Sequence, residues 1–179
     1  MRLLICICIL CPTFLIGQNQ WHYSRSTLTW KGYGEIGGFF QEGTIGIKHV
    51  ELEWEGDLPK SGNIIIDMKS IHHEDKALKK HLYQKDFFNV KRFPEANFQI
   101  TSIDDKSMNG ILTMCGQSHP VVIHYVIEKK SGVLKFTGQS EIDRTVFGIK
   151  YNSSSFFQDL GSYAIKNKFD LNFEISFEQ

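Results

Sequence analysis

Phe169-Asp170-Leu171-Asn172-Phe173-Glu174-Ile175-Ser176-Phe177-Glu178 alternates apolar and polar residues without a break. Successive side chains of a strand point to opposite faces, so Phe169, Leu171, Phe173, Ile175 and Phe177 form one apolar wall while the other wall is wetted. This is the pattern of a half-buried antiparallel strand. Working outward, the same period of two runs through Ser26–Trp30, Gly43–Glu55, Asn63–Lys69, Ala96–Ile103, Asn109–Met114, Val121–Glu128, Val133–Ser140 and, more weakly, Val146–Tyr151. Turn signals separate these runs, among them Pro59-Lys60-Ser61-Gly62, Asp104-Asp105-Lys106-Ser107 and Lys129-Lys130-Ser131-Gly132. Within Gly43–Glu55 the apolar phase passes from Ile45 and Ile47 to Val50, Leu52 and Trp54, which predicts a bulge or tight turn at Lys48 and His49. About eight short strands with brief connections predict an all-β barrel or sandwich.

One stretch departs from the period of two. His72–Tyr83 carries Ala77, Leu78 and Leu82 at helical spacing, with Asp75 and Lys79 placed for an i,i+4 ion pair, so a single short helix is expected between strands. An aromatic-rich irregular segment follows, Asp86-Phe87-Phe88 and Arg92-Phe93-Pro94, placed to plug or rim the sheet. No repeat, low-complexity tract or second-domain linker interrupts the 179 residues.

Lys and Arg number 20, as do Asp and Glu, which removes the bulk charge a nucleic-acid binder would need. With 41% hydrophobic residues and 14 Phe, the chain can bury enough apolar surface to fold. Residues 1–17 read as a signal peptide: Met1 and Arg2, then the apolar run Leu3–Leu10, then Phe14-Leu15-Ile16-Gly17 before polar Gln18. Pro12 and Thr13 break a stretch already shorter than the ~20 residues of a membrane span. Cleavage after Gly17 leaves residues 18–179 as one periplasmic or secreted domain with Cys115 as its one cysteine and no internal disulfide.

Three ordered blocks carry a family resemblance. Asp67-Met68-Lys69-Ser70-Ile71, His81-Leu82 with Lys85-Asp86-Phe87-Phe88-Asn89-Val90, and Phe93-Pro94-Glu95-Ala96-Asn97-Phe98 resemble the centre of the YceI-like family. Gly110-Ile111-Leu112-Thr113, Gly116, Pro120 and Ile142-Asp143-Arg144-Thr145 with Phe147-Gly148-Ile149 and Tyr151 are similar to its downstream motifs, in the same order. The resemblance implies an extended eight-stranded antiparallel barrel, lipocalin-like in outline, exported, and holding an isoprenoid quinone or polyprenyl lipid in its bore. It covers roughly residues 24 to 178. Asn167 stands where the family pattern suggests an acidic residue, and Gln41-Glu42-Gly43 where many relatives carry a His.

The candidate lipid-contacting residues are Phe87, Phe88, Phe98, Ile100, Leu112, Phe136, Phe147, Tyr151 and Phe157. In a barrel, core and pocket share one surface, so each can serve as packing or as lining. Asp143 and Arg144 could orient a polar head group, or brace a turn as an ion pair. Tyr151, Phe156 and Phe157, beside polar Asn152–Ser155, read as an entrance lip or as a plain loop. His72, His73 and His81 do not converge on one ion, and His49, His119 and His124 could join them only through the fold, so no metal site is expected. No nucleophile elbow, phosphate loop or H-E-x-x-H motif is present, and Cys115 reads as a buried, inert strand residue. The expected function is a non-catalytic carrier with an isoprenoid ligand, no other cofactor, no nucleic-acid partner and no stable membrane span. A homodimer stays open, as does an envelope interaction protein whose barrel is filled by its own side chains.

Overall fold

A computed structural model describes residues 21–179, so the signal-peptide expectation for residues 1–17 lies outside the described residues. Eight antiparallel strands run in simple up-and-down order: β1 (His22–Gly34), β2 (Phe40–Glu55), β3 (Leu58–His72), β4 (Glu95–Ile103), β5 (Ser107–Met114), β6 (Gln117–Lys130), β7 (Val133–Asp143) and β8 (Ile165–Glu178). Each pairs with the next, and β8 returns to β1 from His22↔Glu178 to Gly34↔Ile165, closing the barrel. Closure leaves no strand edge unpaired.

Alternation sorts the side chains. β5 is the plainest case: Met108, Gly110, Leu112 and Met114 are buried while their neighbours are half-exposed. The phase change expected in β2 is a bulge at Lys48, since Ile47 pairs with Ile66 and His49 with Ile65, leaving Lys48 without an opposite residue. The extra residue turns Val50, Leu52 and Trp54 inward after Ile45 and Ile47.

Five local expectations are corrected. The turn before β3 is Gly56-Asp57, between the pair Glu55↔Leu58, and not Pro59–Gly62. Pro59 lies inside β3, where the register shifts between Glu53 and Trp54 and a missing N–H is tolerated. The helix α1 spans only Lys76–Leu82, because β3 extends through His72. Asp75 does not pair with Lys79; its Oδ1 caps α1, accepting from the backbone N–H of Ala77 at 2.7 Å and of Leu78 at 3.4 Å. Val146–Tyr151 is not a strand but a run of turns, with Gly148 at φ +84°. Cys115 also leaves the strand: with Gly116 it makes the two-residue turn between Met114 and Gln117, at φ +52° and +77°.

All non-strand cover gathers at one end. The β1–β2 loop, the segment 73–94 with α1, the Cys115-Gly116 turn and the long β7–β8 connection lie there, and at the other end only short turns join the strands. Among the described residues no helix is long and apolar enough to cross a membrane.

Deleting Lys48 removes the bulge and swings either Ile45 and Ile47 or Val50, Leu52 and Trp54 out of the core. The expected result is loss of a cooperative thermal transition by circular dichroism, whereas Lys48→Ala, which removes only the exposed ion pair with Glu95, leaves Tm nearly unchanged.

Candidate functional site: the barrel bore

The barrel encloses a bore lined by residues from all eight strands, plus Phe88 from the segment after α1. Its open volume is about 110 Å³, measured as the space available to the centre of a water molecule. Phe169 and Phe177 mark its two ends on β8. Eight residues of strand at ~3.3 Å each, tilted by ~40°, give a length of roughly 20 Å along the axis. Spread evenly over that length, and widened by the ~1.4 Å radius of water, the volume would correspond to a mean width of about 5 Å. That width admits one slender chain.

Three glycines keep it open. Gly43, Gly110 and Gly138 sit on inward rows, and a β-carbon at any of them would lie under 3.0 Å from the ring of Trp30, Phe98 or Phe173, respectively. Trp30 pairs directly with Gly43 and Phe173 with Gly138, while Phe98 is diagonal to Gly110. Each aromatic ring therefore lies against the wall over a missing side chain.

The surface of the bore is wholly apolar, and the polar atoms of two lining residues are turned away from it. Ser140 satisfies its hydroxyl by donating to the Val122 carbonyl at 2.9 Å. Trp30 Nε1 is buried and has no hydrogen-bond partner. Trp30 lies near the helix end of β1, with its ring centroid 5.8 Å from that of His73. The far end is sealed by packed rings: Trp54 meets Phe177 at 4.9 Å and Phe136 at 6.3 Å, Tyr125 meets Phe136 at 5.5 Å, and Trp21 caps Trp54 at 6.4 Å. Tyr125 donates its hydroxyl to the Asp104 carbonyl, and burial pushes its pKa up to about 12.

Of the residues expected to contact lipid, Phe88, Phe98, Leu112 and Phe136 line the bore. Ile100 is buried on the same inward row of β4 as Phe98. Phe147 is buried beneath the β7–β8 connection, edge-on to His119 at 5.2 Å. Phe87 and Tyr151 join His81 in a stack over the helix end, where His81 and Tyr151 are 4.4 Å apart and Phe87 is 5.9 Å from His81. Phe157 is half-exposed on the β7–β8 connection. Trp30, Phe173 and the three glycines were missed as site residues; glycine inside an alternating strand was the available signal.

Arg144 is 3% exposed and directs its donors to backbone. Nε donates to the Lys166 carbonyl at 3.1 Å, Nη1 to Ile149 at 3.0 Å and Tyr151 at 2.7 Å, and Nη2 to Ile165 at 3.0 Å. Burial lowers its pKa, opposed by Asp143 and Glu35, and the guanidinium stays cationic. By capturing the Ile149 and Tyr151 carbonyls, it takes acceptors that a strand at 146–151 would need. The expected ion pair with Asp143 is absent among the described salt bridges; Asp143 instead accepts from the Thr145 N–H at 2.8 Å and hydroxyl at 2.6 Å. Asn167 accepts from Ser153 at 2.6 Å and donates to Ser155 at 2.8 Å, the second a bond that an ionised carboxylate could not make.

Residues 22–177 match the family profile of the YceI-like domain. The chain belongs to the YceI-like family. A UPF0312 protein of Pseudomonas putida is 32% identical over 99 residues, covering 51% of each chain, and one of Shewanella denitrificans is 33% identical over 117 residues, 59% of this chain and 58% of its own. The chain thus spans about half the length of these relatives. Among solved structures, Burkholderia cenocepacia BcnA superposes with a TM-score of 0.69 at 19% identity, over 84% of this chain and 95% of BcnA. A polyisoprenoid binding domain from Saccharophagus degradans gives 0.67 at 8% identity, over 88% and 96%. At these identities the likeness is one of YceI-like fold.

Two outcomes test the geometry. Arg144→Ala should cost about 3 kcal/mol in chemical denaturation, because several buried carbonyls lose a charged donor together, and Arg144→Lys should recover only part of it. Burial pushes the Cys115 thiol up to about 11 from 9.0. At pH 8 the native thiol should therefore react with iodoacetamide roughly a hundredfold more slowly than in urea.

Proposed function

We propose that this YceI-like protein is a non-catalytic carrier that holds the tail of an isoprenoid quinone or polyprenyl lipid in its bore, working in the periplasm or outside the cell after loss of residues 1–17. The observation that carries the reading is an open volume of about 110 Å³ inside the closed barrel, with a wholly apolar surface and three ring-over-glycine pairs in its wall. A lone protein gains nothing from such a channel, since filling it with side chains would add burial worth ~25 cal/mol per Å². An apolar tail recovers that energy on binding. The solved Saccharophagus neighbour is described as a polyisoprenoid binding domain, which supports the same ligand class here.

Trp30 places the head group in this reading. Its unpartnered N–H is buried in the wall at the helix end, opposite the sealed end, so a small turn of the ring would be needed to present it to a ligand. A quinone carbonyl or a polyprenyl oxygen at that level would accept from it, with the tail running toward Phe136 and Phe177. Arg144, with its donors on carbonyls, is a brace of the β7–β8 connection in this scheme.

One observation favours a second reading. The open volume of 110 Å³ is modest, and Phe136 and Phe177 already reach into the bore, as in an interaction protein that fills its own barrel. Native mass spectrometry with organic extraction separates the two. A co-purified polyprenyl or quinone mass near one per chain is expected; an apo mass that also refuses added ubiquinone and menaquinone would overturn the carrier. Phe98→Asp and Phe136→Asp should abolish uptake while Gln99→Asp and Lys135→Asp, on the outer face, keep it. Trp30→Phe should weaken a quinone by roughly tenfold and leave a plain hydrocarbon unaffected.

A further inference from the structure

The end of the barrel that carries the loops exposes large apolar side chains from two neighbouring loops. Ile36 and Phe39 come from the β1–β2 loop, with Phe40 beside them at the start of β2; Phe156, Phe157 and Tyr163 come from the β7–β8 connection, and Tyr163 is 76% exposed. The loops are tied together, since the Glu35 N–H donates to the Ala164 carbonyl at 3.0 Å and the Ser154 hydroxyl donates to Glu35 at 2.6 Å. The six side chains thus belong to one joined rim. Isolated exposed apolar residues need no explanation, but a cluster confined to one end does.

Cations stand beside the rings. Lys31 Nζ lies 3.5 Å from the centroid of Phe40, and Lys150 Nζ lies 4.6 Å from that of Phe156. Charge is also divided along the barrel axis. The segments closing this end, residues 35–39, 73–94, 115–116 and 144–164, hold eight Lys or Arg against five Asp or Glu. The turns at the opposite end, residues 56–57, 104–106 and 131–132, hold one against three. The positive excess at this end comes from residues 73–94, with six Lys or Arg against three Asp or Glu, while the two ring-bearing loops are balanced and the opposite turns carry a small negative excess. Aromatic rings with adjacent lysines, beside the basic segment 73–94, match the interface of a bilayer with anionic head groups.

We infer that this end docks on an anionic lipid bilayer, with Phe39, Phe40, Phe156, Phe157 and Tyr163 entering the head-group layer and the lysines pairing with lipid charge. The seam beneath the docked face suits lipid transfer. The segment 73–94 and the β7–β8 connection meet through the rings of His81, Phe87 and Tyr151, and no hydrogen bond or ion pair joins them among the described residues. Parting them breaks no strand pairing and leads to Phe88 at the bore. Docking stands on the surface alone; the transfer through this seam rests on the carrier reading above.

The test uses the chain from Gln18, which holds every strand of the closed barrel, and flotation with vesicles of roughly three parts phosphatidylcholine to one of phosphatidylglycerol. Binding is expected to these vesicles, to weaken with added salt, and to fall by roughly tenfold on pure phosphatidylcholine. Phe156→Ser with Phe157→Ser should lower it by a similar factor, as should Lys79→Glu with Lys80→Glu, while Val126→Ser on the barrel side leaves it unchanged. No flotation of the parent chain, or loop variants that float as well as Val126→Ser, would overturn the docking. Phe136→Asp separates the two readings: it should float like the parent yet take up no quinone, and a parent that floats but never takes up lipid would sink the carrier and leave the docking.

Discussion

The whole molecule depends on the register in which β8 meets β1. Each strand lies against its sequence neighbour through a turn or loop, so seven pairings are local; the eighth joins Glu178 to His22 across almost the entire chain. A slip of one residue there would turn the Phe169–Phe177 row to solvent and bring Asp170, Asn172 and Glu174 inward. Bulges set that register. β1 shifts against β8 between Tyr23 and Arg25 and again between Gly32 and Gly34, and β2 carries the extra residue Lys48. Such bulges let a twisted sheet curl until its edges meet while keeping the apolar rows inside.

From that constraint the site follows. Once the inward rows converge, the bore must be either filled or deliberately spared. Placing glycine opposite or diagonal to a large ring spares it, and Trp30, Phe98 and Phe173 do this at different heights of the wall. The far end receives the opposite treatment: Trp21, Trp54, Phe136 and Phe177 crowd together and Leu134 is wholly buried. The result is polar asymmetry in the literal sense, with a sealed aromatic base and an end covered only by loops and a seven-residue helix.

Much of this was legible in the sequence because alternation is a local signal. The phase change between Ile47 and Val50 placed a bulge or turn at Lys48 and His49, where Lys48 is the bulged residue, and the apolar row of β8 stated its inward face outright. Loops were less legible, since their conformation is fixed by distant partners. Val146–Tyr151 alternates well enough to suggest a strand, and Phe147 and Ile149 are indeed buried, but the guanidinium of Arg144 holds the backbone in turns. Pro59–Gly62 contains proline, serine and glycine, all turn formers, and still runs as strand, because the register irregularity opposite Trp54 absorbs the proline. The bore was half legible: Phe88, Phe98, Leu112 and Phe136 could be picked as inward and bulky. Which ring would need a neighbour with no side chain depends on cross-strand pairing that no single segment encodes.

The meeting of His22 with Glu178 carries one more consequence. Both ends of the barrel sequence lie at the sealed base, joined side by side in the ladder, so the eight strands form a ring interrupted at a single seam. Topologically that seam is no different from the tight turns Gly56-Asp57 and Ser131-Gly132 at the same base. A chain spliced from Glu178 to His22 by a short linker and reopened at either turn would contain every native pairing, which makes this barrel a natural subject for circular permutation.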